Sequence, residues 1–312
     1  MSVVRFASLM PDEDRRRALY AGDIFIYAET PATRALCGFA REMVEAAVAP
    51  HDPRRIHEVM PVEECVAILA ELKPRFIHHP RSKSLLQEML REFGCDPDAT
   101  YFDVPRLRSA MPKDYRAAGI AYAFHPHRDT WYSAPACQLN WWVPIYPLQP
   151  DNAMAFYPRY FDNPVLNNSE IYNYYEWNSR NRGTAAQHVR SDTREQPKPQ
   201  QTLTSPAIRY LPPPGGVILF SGAQLHETVP NTTDEARYSF DFRTVHLADA
   251  MALRGAPNVD SRSTGTTMRD YLRATDLQHL PAEIVRLYDD GSADDDKILV
   301  FGDRLVRDTA AN

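Results

Sequence analysis

A change in sequence pattern near Thr100 is the strongest constraint on the fold. Before it, apolar residues recur every three or four positions over residues 31–48, 61–72 and 82–93, a spacing typical of amphipathic helices, with one short strand predicted at 24–27. After it, short β-rich runs alternate with Pro, Gly, Asn and Asp, at residues 101–104, 120–124, 137–145, 153–157, 217–220 and 236–246. The pattern predicts a mainly β barrel or sandwich with helices packed outside it.

The length of 312 residues fits one large domain. We expect a helical support over residues 1–99, a β core over residues 100–247 and a C-terminal tail over residues 248–312. Residues 159–201, called the insertion below, interrupt the strand pattern with a Tyr- and Asn-rich segment followed by a charged, Pro-containing one. Such a long insertion is typically a lid or a binding loop, and its aromatic residues argue against disorder.

Composition excludes several classes of partner. The formal charge of −6 comes from 35 basic and 41 acidic residues that are mixed along the chain, so no basic stripe indicates nucleic acid. No apolar stretch is long enough to span a bilayer. The four cysteines are far apart and form no C-x-x-C pair, which argues against a zinc site or disulfide framework and fits a reduced cytoplasm. A small-molecule substrate is the expected partner, and the oligomeric state stays open between monomer and homodimer.

A metal site is indicated by His127 and Asp129, which are separated by one residue. In a strand these side chains would point to the same face and could bind one ion. Two histidines and one carboxylate leave three adjacent octahedral positions open, an arrangement suited to Fe(II). Of the ten histidines, His226 is the best placed third ligand, because it follows an apolar run and a short loop. A rival assignment takes His125 and His127 as an H-x-H pair.

A carboxylate site is indicated eleven residues after His226. The run ARYSFDFRTVH places Arg237, Ser239, Asp241 and Arg243 on one face of a strand whose other face is aromatic. Polar groups on a strand built for burial need partners. An arginine with a nearby hydroxyl is suited to holding a carboxylate in charge-assisted hydrogen bonds. For Arg243, an ion pair with Asp241 is the simpler interpretation.

The order H-x-D, a long gap, a strand followed by His226 and then Arg237-x-Ser239 resembles the Fe(II)/2-oxoglutarate-dependent oxygenases, in particular their phytanoyl-CoA-hydroxylase-like branch. The flanks that resemble this branch are LNWWVPIYPLQPDNAMAFYPRYF and PPPGGVILFSGAQLHETVPNTT. The resemblance covers about residues 100 to 247 and implies a double-stranded β-helix, or jelly roll. Two departures, Ala153 and Pro158-Arg159-Tyr160, lie where the branch often has other residues, so its acyl-CoA-type substrate is not expected to transfer.

The resemblance implies a dioxygenase in which His127, Asp129 and His226 bind Fe(II) and act in catalysis. It further implies 2-oxoglutarate as co-substrate, held by Arg237 and Ser239, with O₂ as oxidant and ascorbate as reductant in vitro. The expected reaction is hydroxylation or oxidative cyclisation at an unactivated C–H bond.

Further residues were selected by their position along the chain. Gln138, Asn140 and Trp142 share one strand face, which we expect to line the co-substrate or substrate pocket, and Tyr132 is close enough to Asp129 to reach the co-substrate. The insertion supplies substrate candidates: Arg159, Tyr160, Tyr172, Arg180 and Arg182. They suit a small polar metabolite such as an amino-acid-like natural-product intermediate. The alternatives are a sugar acid of the lipopolysaccharide Kdo type, a non-catalytic jelly-roll binding protein, and a zinc hydrolase on the same three residues.

Overall fold

The computed structural model describes residues 2–112, Tyr115 and residues 125–292. The strands in this part of the chain are β1 Val4–Phe6, β2 Ile24–Tyr27, β3 Thr100–Phe102, β4 Arg106–Ala110, β5 Leu139–Pro144, β6 Met154–Phe156, β7 Ile208–Tyr210, β8 Val217–Ser221, β9 His226–Thr228, β10 Arg237–His246 and β11 Leu272–Arg273. The α-helices are α1 Asp12–Tyr20, α2 Pro31–Val48, α3 Ile56–Val59, α4 Val62–His78, α5 Pro80–Glu92, α6 Tyr174–Arg180, α7 Leu247–Met251 and α8 Ala282–Arg286.

The strands form two sheets. The larger has eight strands in the order β1-β2-β8-β5-β10-β3-β11, with β4 also pairing along β10. Only the β1–β2 pair in it is parallel. The smaller sheet is antiparallel, in the order β7-β6-β9. The long β10 pairs with β5 on one side and with β3 and β4 on the other, and so lies in the middle of the larger sheet.

The larger sheet is buried on both faces, because alternate residues of its strands belong to two different cores. Leu219 of β8 and Phe242 of β10 face a core shared with α2, α4 and α5. Ile218 and Phe220 of β8 face the opposite way, into a core shared with Phe156 of the smaller sheet. This two-sided burial explains why β5 and β8 are buried along their whole length. The fold is therefore a mixed sheet with helices on one face and a small sheet on the other.

Three helices of the first hundred residues, α2, α4 and α5, follow the predicted pattern. α2 begins after Thr30, whose side chain accepts a hydrogen bond from the backbone of Thr33 in a capping box, and Pro31 occupies its first turn. α4 extends six residues past the predicted end at residue 72, to His78. None of the helices in the described ranges is long and apolar enough to cross a membrane.

The predicted strands correspond to β2, β3, β5, β6, β8 and β10 with shifts of a few residues at their ends. The strand predicted at residues 120–124 lies outside the described residues. The pattern missed the helices α1, α3, α6, α7 and α8 and the short strands β1, β4, β7, β9 and β11.

Candidate metal centre

His127 and His226 are brought together by the backbone. The two residues form an isolated antiparallel bridge in which each backbone N–H donates to the carbonyl oxygen of the other at 2.9 Å. Their rings therefore lie side by side, with centroids 4.4 Å apart. His226 begins β9 in the smaller sheet, so the bridge joins the H-x-D segment to that sheet.

Asp129 reaches the same point from a turn. It begins a 3-10 turn that spans Asp129–Tyr132, and its backbone N–H donates to the carbonyl oxygen of Gly222 at 2.8 Å. The prediction that His127 and Asp129 lie on one strand face was therefore wrong for Asp129. The side chain converges with the two histidines because the turn follows the bridge directly.

The three side chains present one ligand atom each, all within 4.8 Å of one another. Oδ1 of Asp129 lies 3.4 Å from Nε2 of His127 and 3.9 Å from Nε2 of His226. Nδ1 of each histidine lies 2.9 Å from a backbone carbonyl oxygen, that of His125 or of Gln224. A carbonyl oxygen only accepts hydrogen bonds, so Nδ1 carries the proton and the lone pair of Nε2 faces the other ligands. This is the tautomer that metal binding requires.

Burial and neighbouring charge set the electrostatics of the centre. All three side chains are buried. Burial lowers the pKa of His226 to about 4, assisted by the neighbouring His127. Burial acts to raise the pKa of Asp129, but the Arg243 guanidinium and the two histidines outweigh it and hold that pKa well below its usual range. The centre therefore presents a neutral imidazole at His226 and a carboxylate at Asp129 at neutral pH.

Gln138 and Asn140 lie next to the triad and line the same cavity. Their side-chain amides donate to Oδ2 of Asp129, at 2.7 Å from Gln138 and 2.8 Å from Asn140. Arg243 approaches the same oxygen, with its Nε 3.5 Å away. Arg243 also pairs with Asp241, as expected, at 3.7 Å. The predicted co-substrate residues Gln138 and Asn140 thus contact a metal ligand in the structure.

Arg237 and Ser239 lie in the same cavity region on β10. The cavity has a volume of about 340 Å³ and is lined by the triad, by Arg237 and by Trp142, while Ser239 is the next residue on the same face of the strand. Arg237 is 4% exposed and Ser239 is 0% exposed. Nε and Nη1 of Arg237 have no hydrogen-bond partner among the described residues. The same is true of Oγ of Ser239.

Arg237 forms no ion pair within 4 Å among the described residues, although the negative charge of Asp241 acts on its guanidinium. Its guanidinium lies 5.5 Å from the centre of the Trp142 ring, and burial lowers its pKa to about 10. Buried polar groups in folded proteins are almost always hydrogen-bonded, so unpaired donors on a cation indicate an anionic ligand. The donor set of the triad likewise fits a divalent metal with positions left open. The residues present therefore fit both an iron ion and a dicarboxylate.

The insertion forms one wall of the cavity. Tyr172, Tyr174, Trp177, Asn178, Arg194 and Gln196 all line it. Tyr132 connects this wall to the metal centre, because its ring lies edge-on to His127 at 5.4 Å and its hydroxyl donates to the Pro197 carbonyl oxygen at 3.1 Å. Nε2 of His125 contacts the same carbonyl oxygen at 2.6 Å. His125 is thus engaged with the insertion, and the geometry favours Asp129 over the rival H-x-H assignment.

The substrate candidates at the start of the insertion are not brought to the cavity. Arg159 is exposed, and Tyr160 packs with Trp131 and Leu225 while its hydroxyl bonds to Thr204. Pro158 begins a 3-10 turn that directs both residues away from the cavity wall, so we do not carry them into the proposed substrate site. Arg180 is exposed as well, and the side chain of Arg182 lies outside the described part of the chain.

Several cavity residues were missed from the sequence. Tyr271 and Asp270 come from the C-terminal tail, which showed no recognisable pattern, and no local signal points to them. Arg106 and Arg108 come from β4, where they alternate with the buried Leu107. That period-two alternation was a usable strand signal, but the strand is only five residues long.

Comparisons with known proteins give only distant likenesses. No protein-family model matches the chain, and no match is found among curated protein sequences. Similar solved structures include EvdO2 from Micromonospora carbonacea var. aurantiaca complexed with 2-oxoglutarate, at 13% identity over 76% of this chain and 91% of that chain, with a TM-score of 0.44.

A second similar structure is the epimerase SnoN in complex with Fe3+, alpha ketoglutarate and nogalamycin RO, at 13% identity over 75% of this chain and 85% of that chain, with a TM-score of 0.40. A third is AviO1 from Streptomyces viridochromogenes Tue57, at 14% identity over 81% of this chain and 99% of that chain, with a TM-score of 0.37. Likenesses this distant carry no argument about fold or reaction, which rest on the contacts within this chain.

Proposed function

We propose that this chain is an Fe(II)- and 2-oxoglutarate-dependent oxygenase. The observation that carries the proposal is a buried arginine with unpartnered donors in the cavity that also contains a His, Asp, His triad. A metal site alone would fit many chemistries. A metal site together with a buried cation that lacks an anion fits a metal enzyme whose co-substrate carries a carboxylate at its far end.

The roles of the residues follow from their chemistry. His127, Asp129 and His226 would hold the iron, while Arg237 and Ser239 would hold the far carboxylate of 2-oxoglutarate. When bound, the iron would supply the oxidative chemistry, in which O₂ and 2-oxoglutarate give succinate and CO₂ and the second oxygen atom goes to a substrate C–H bond. Trp142 supports the Arg237 guanidinium, and the insertion excludes water from above the centre.

We further propose that the two sheets form a double-stranded β-helix within one domain. The shared core between β8 and the smaller sheet, and the bridge between His127 and His226, support this arrangement. In such a fold, metal ligands lie where the two sheets meet, which is where the bridge lies here. The narrower resemblance to the phytanoyl-CoA-hydroxylase-like branch stays a prediction.

The substrate we propose is a small polar metabolite, with an amino-acid-like natural-product intermediate as first choice and a Kdo-type sugar acid as second. Aromatic rings at Tyr172 and Trp177 line the cavity together with polar groups at Asn178, Gln196 and Asp270. A wall of this composition suits a molecule with both apolar and hydrogen-bonding faces. Hydroxylation and oxidative cyclisation are both compatible with it.

The test is succinate formation from 2-oxoglutarate in air, with Fe(II) and ascorbate, and with amino acids and sugar acids as stimulants. We expect iron-dependent succinate from the wild type and none from His226→Ala. His246→Ala is the matched control, because His246 ends β10 and does not line the cavity. Iron binding without turnover for any candidate would support the binding-protein alternative. Hydrolytic activity with zinc but not iron would support the zinc hydrolase.

A further inference from the structure

We propose that Tyr271, Gln138, Asn140 and Arg243 are positioning residues that allow Asp129 to bind the metal through Oδ1 alone. This inference rests on the proposed function, because it assumes that the triad binds a metal. It adds a reason why this carboxylate would leave enough of the metal's coordination positions open for the reaction.

The two oxygens of Asp129 have different surroundings. Oδ2 accepts hydrogen bonds from Nε2 of Gln138 at 2.7 Å and from Nδ2 of Asn140 at 2.8 Å. A carboxylate oxygen has two lone pairs, so these two amides occupy both of them. Oδ1 is the oxygen that lies closest to Nε2 of His127, at 3.4 Å. Only Oδ1 is therefore directed at the point where the histidine nitrogens converge.

The orientation of the two amides follows from Asp129, whose carboxylate only accepts hydrogen bonds, and Tyr271 supports that orientation. Its hydroxyl donates to Oε1 of Gln138 at 2.7 Å, which leaves Nε2 of Gln138 as the end that faces Asp129. The same Nε2 donates to Oδ1 of Asn140 at 2.9 Å, which leaves Nδ2 of Asn140 to face Asp129 as well. The hydrogen bonds run in one direction, from Tyr271 through both amides to Oδ2. All four side chains are buried, and hydrogen bonds in such a low-dielectric environment are stronger than in water.

Arg243 adds charge on the same side of the carboxylate. Its Nε lies 3.5 Å from Oδ2 of Asp129, and its Nη1 lies 3.3 Å from Oδ2 of Asp103. Its other nitrogens are held by Asp103 and by Asp241, whose Oδ2 lies 3.7 Å from Nη2, and these contacts favour the observed position of the guanidinium beside Oδ2 of Asp129. Negative charge on Asp129 is thereby drawn towards Oδ2 and away from a second contact with the metal.

Coordination through one oxygen matters for this chemistry. Two imidazole nitrogens and one carboxylate oxygen occupy three of the six octahedral positions. A chelating co-substrate needs two positions and O₂ needs one, so none is spare. A second oxygen from Asp129 would take one of them. The hydrogen bonds to Oδ2 are therefore predicted to maintain the number of open positions as well as the affinity for the metal.

The experiment measures Co(II) binding to metal-free protein without 2-oxoglutarate, by affinity and by visible absorption spectrum. The variants are Tyr271→Phe, which removes one hydroxyl, and Gln138→Met, which removes the amide and keeps the length of the side chain. Tyr238→Phe is the matched control, because Tyr238 is as buried as Tyr271 but donates to the Pro53 carbonyl oxygen in the helical core.

We expect both variants to bind Co(II) about 10-fold or more weakly than the wild type, the usual effect of removing a partner of a metal ligand, and to show an altered spectrum. The control should match the wild type in both measurements. Wild-type affinity and spectrum in both variants would overturn the inference, even if their thermal stability fell. If one variant does not fold, the other decides. Failure of the wild type itself to bind Co(II) would instead overturn the proposed function together with this inference.

Discussion

Replacing Arg237 with methionine should have opposite effects on stability and on co-substrate binding. Without a ligand, Nε and Nη1 of Arg237 are buried and unpartnered among the described residues. A buried donor left unpaired costs about 1 to 3 kcal/mol, and more when it is charged. The cation–π contact with the Trp142 ring offsets about 0.5 to 2 kcal/mol of this cost. Methionine fills most of the same space without donors, so we expect the free energy of unfolding of the ligand-free protein to rise by about 1 kcal/mol or more.

Binding of 2-oxoglutarate should weaken strongly in the same variant. A guanidinium that holds a carboxylate with two hydrogen bonds contributes about 1.5 to 3 kcal/mol for each of them. Loss of both is about 3 to 6 kcal/mol, or roughly a hundredfold to a ten-thousandfold in affinity. The two effects have one cause, because the donors that destabilise the empty cavity are those that bind the ligand.

The assay is chemical denaturation of the metal-free protein, followed by titration of 2-oxoglutarate into the metal-loaded protein. Arg108→Met is the control, since Arg108 also lines the cavity but already pairs with Asp241 at 2.6 Å. Its half-exposed ion pair contributes about 1 kcal/mol or less, so the control should be slightly less stable and should bind 2-oxoglutarate nearly as well as the wild type. A destabilised Arg237→Met with unchanged affinity would refute the reasoning.

Three further predictions concern the metal, the cavity wall and the packing. Asp129→Asn should abolish Co(II) binding, measured by metal analysis, and should lower the unfolding free energy of the metal-free protein at neutral pH, because the amide oxygen can still accept from Gln138 but the charge that faces Arg243 is lost. Trp177→Ala should open the wall of the insertion and raise succinate formation in the absence of substrate, measured as 2-oxoglutarate consumed; an unchanged rate would show that this wall does not limit access of solvent. Gly255→Ala should destabilise the fold by about 1 to 3 kcal/mol in a denaturant titration, because the added Cβ would lie 2.3 Å from the Ala136 carbonyl carbon. Gly38→Ala in α2, where a Cβ meets nothing within 4 Å, should instead stabilise it by about 0.5 to 1 kcal/mol.

Elements with strong local signals were predicted well from the sequence. The bounds of α2 and β2 match the prediction, because α2 has a capping threonine and a first-turn proline and β2 is a compact apolar run. The missed strands β1, β7 and β9 have three residues each, which is too short for a periodic pattern. Such strands exist because a neighbouring strand supplies their hydrogen bonds, β2 for β1 and β6 for β7 and β9, and this pairing is not encoded in their own residues.

In the candidate site, too, residues with a local sequence signal were predicted and residues connected only by long-range contacts were not. Four residues could be selected because their types and spacing match a pattern of metal and carboxylate binding: His127, Asp129, His226 and Arg237. The structure brings all of them to one cavity. The contact of Tyr271 with Gln138 spans 133 positions in sequence, and no pattern in a single sequence connects them. Arg159 and Tyr160 do not line this cavity, and no signal in the sequence indicated this, because residue type in a loop says little about the direction of the side chain.

β10 shows how stability and function are divided within one strand. Its aromatic residues Tyr238, Phe240 and Phe242 pack against the helices, whereas Arg237, Asp241 and Arg243 on the opposite face line the cavity. The aromatic face contributes the hydrophobic stabilisation that keeps the strand in place. That burial allows the opposite face to retain donors that remain unpaired until a ligand binds. A ligand at a hundred times its Kd would then stabilise the protein by about 2.7 kcal/mol, which exceeds the gain expected from removing Arg237. Selection for stability of the empty protein alone would remove this arginine, so its presence in the centre of the sheet argues for the bound carboxylate that we propose.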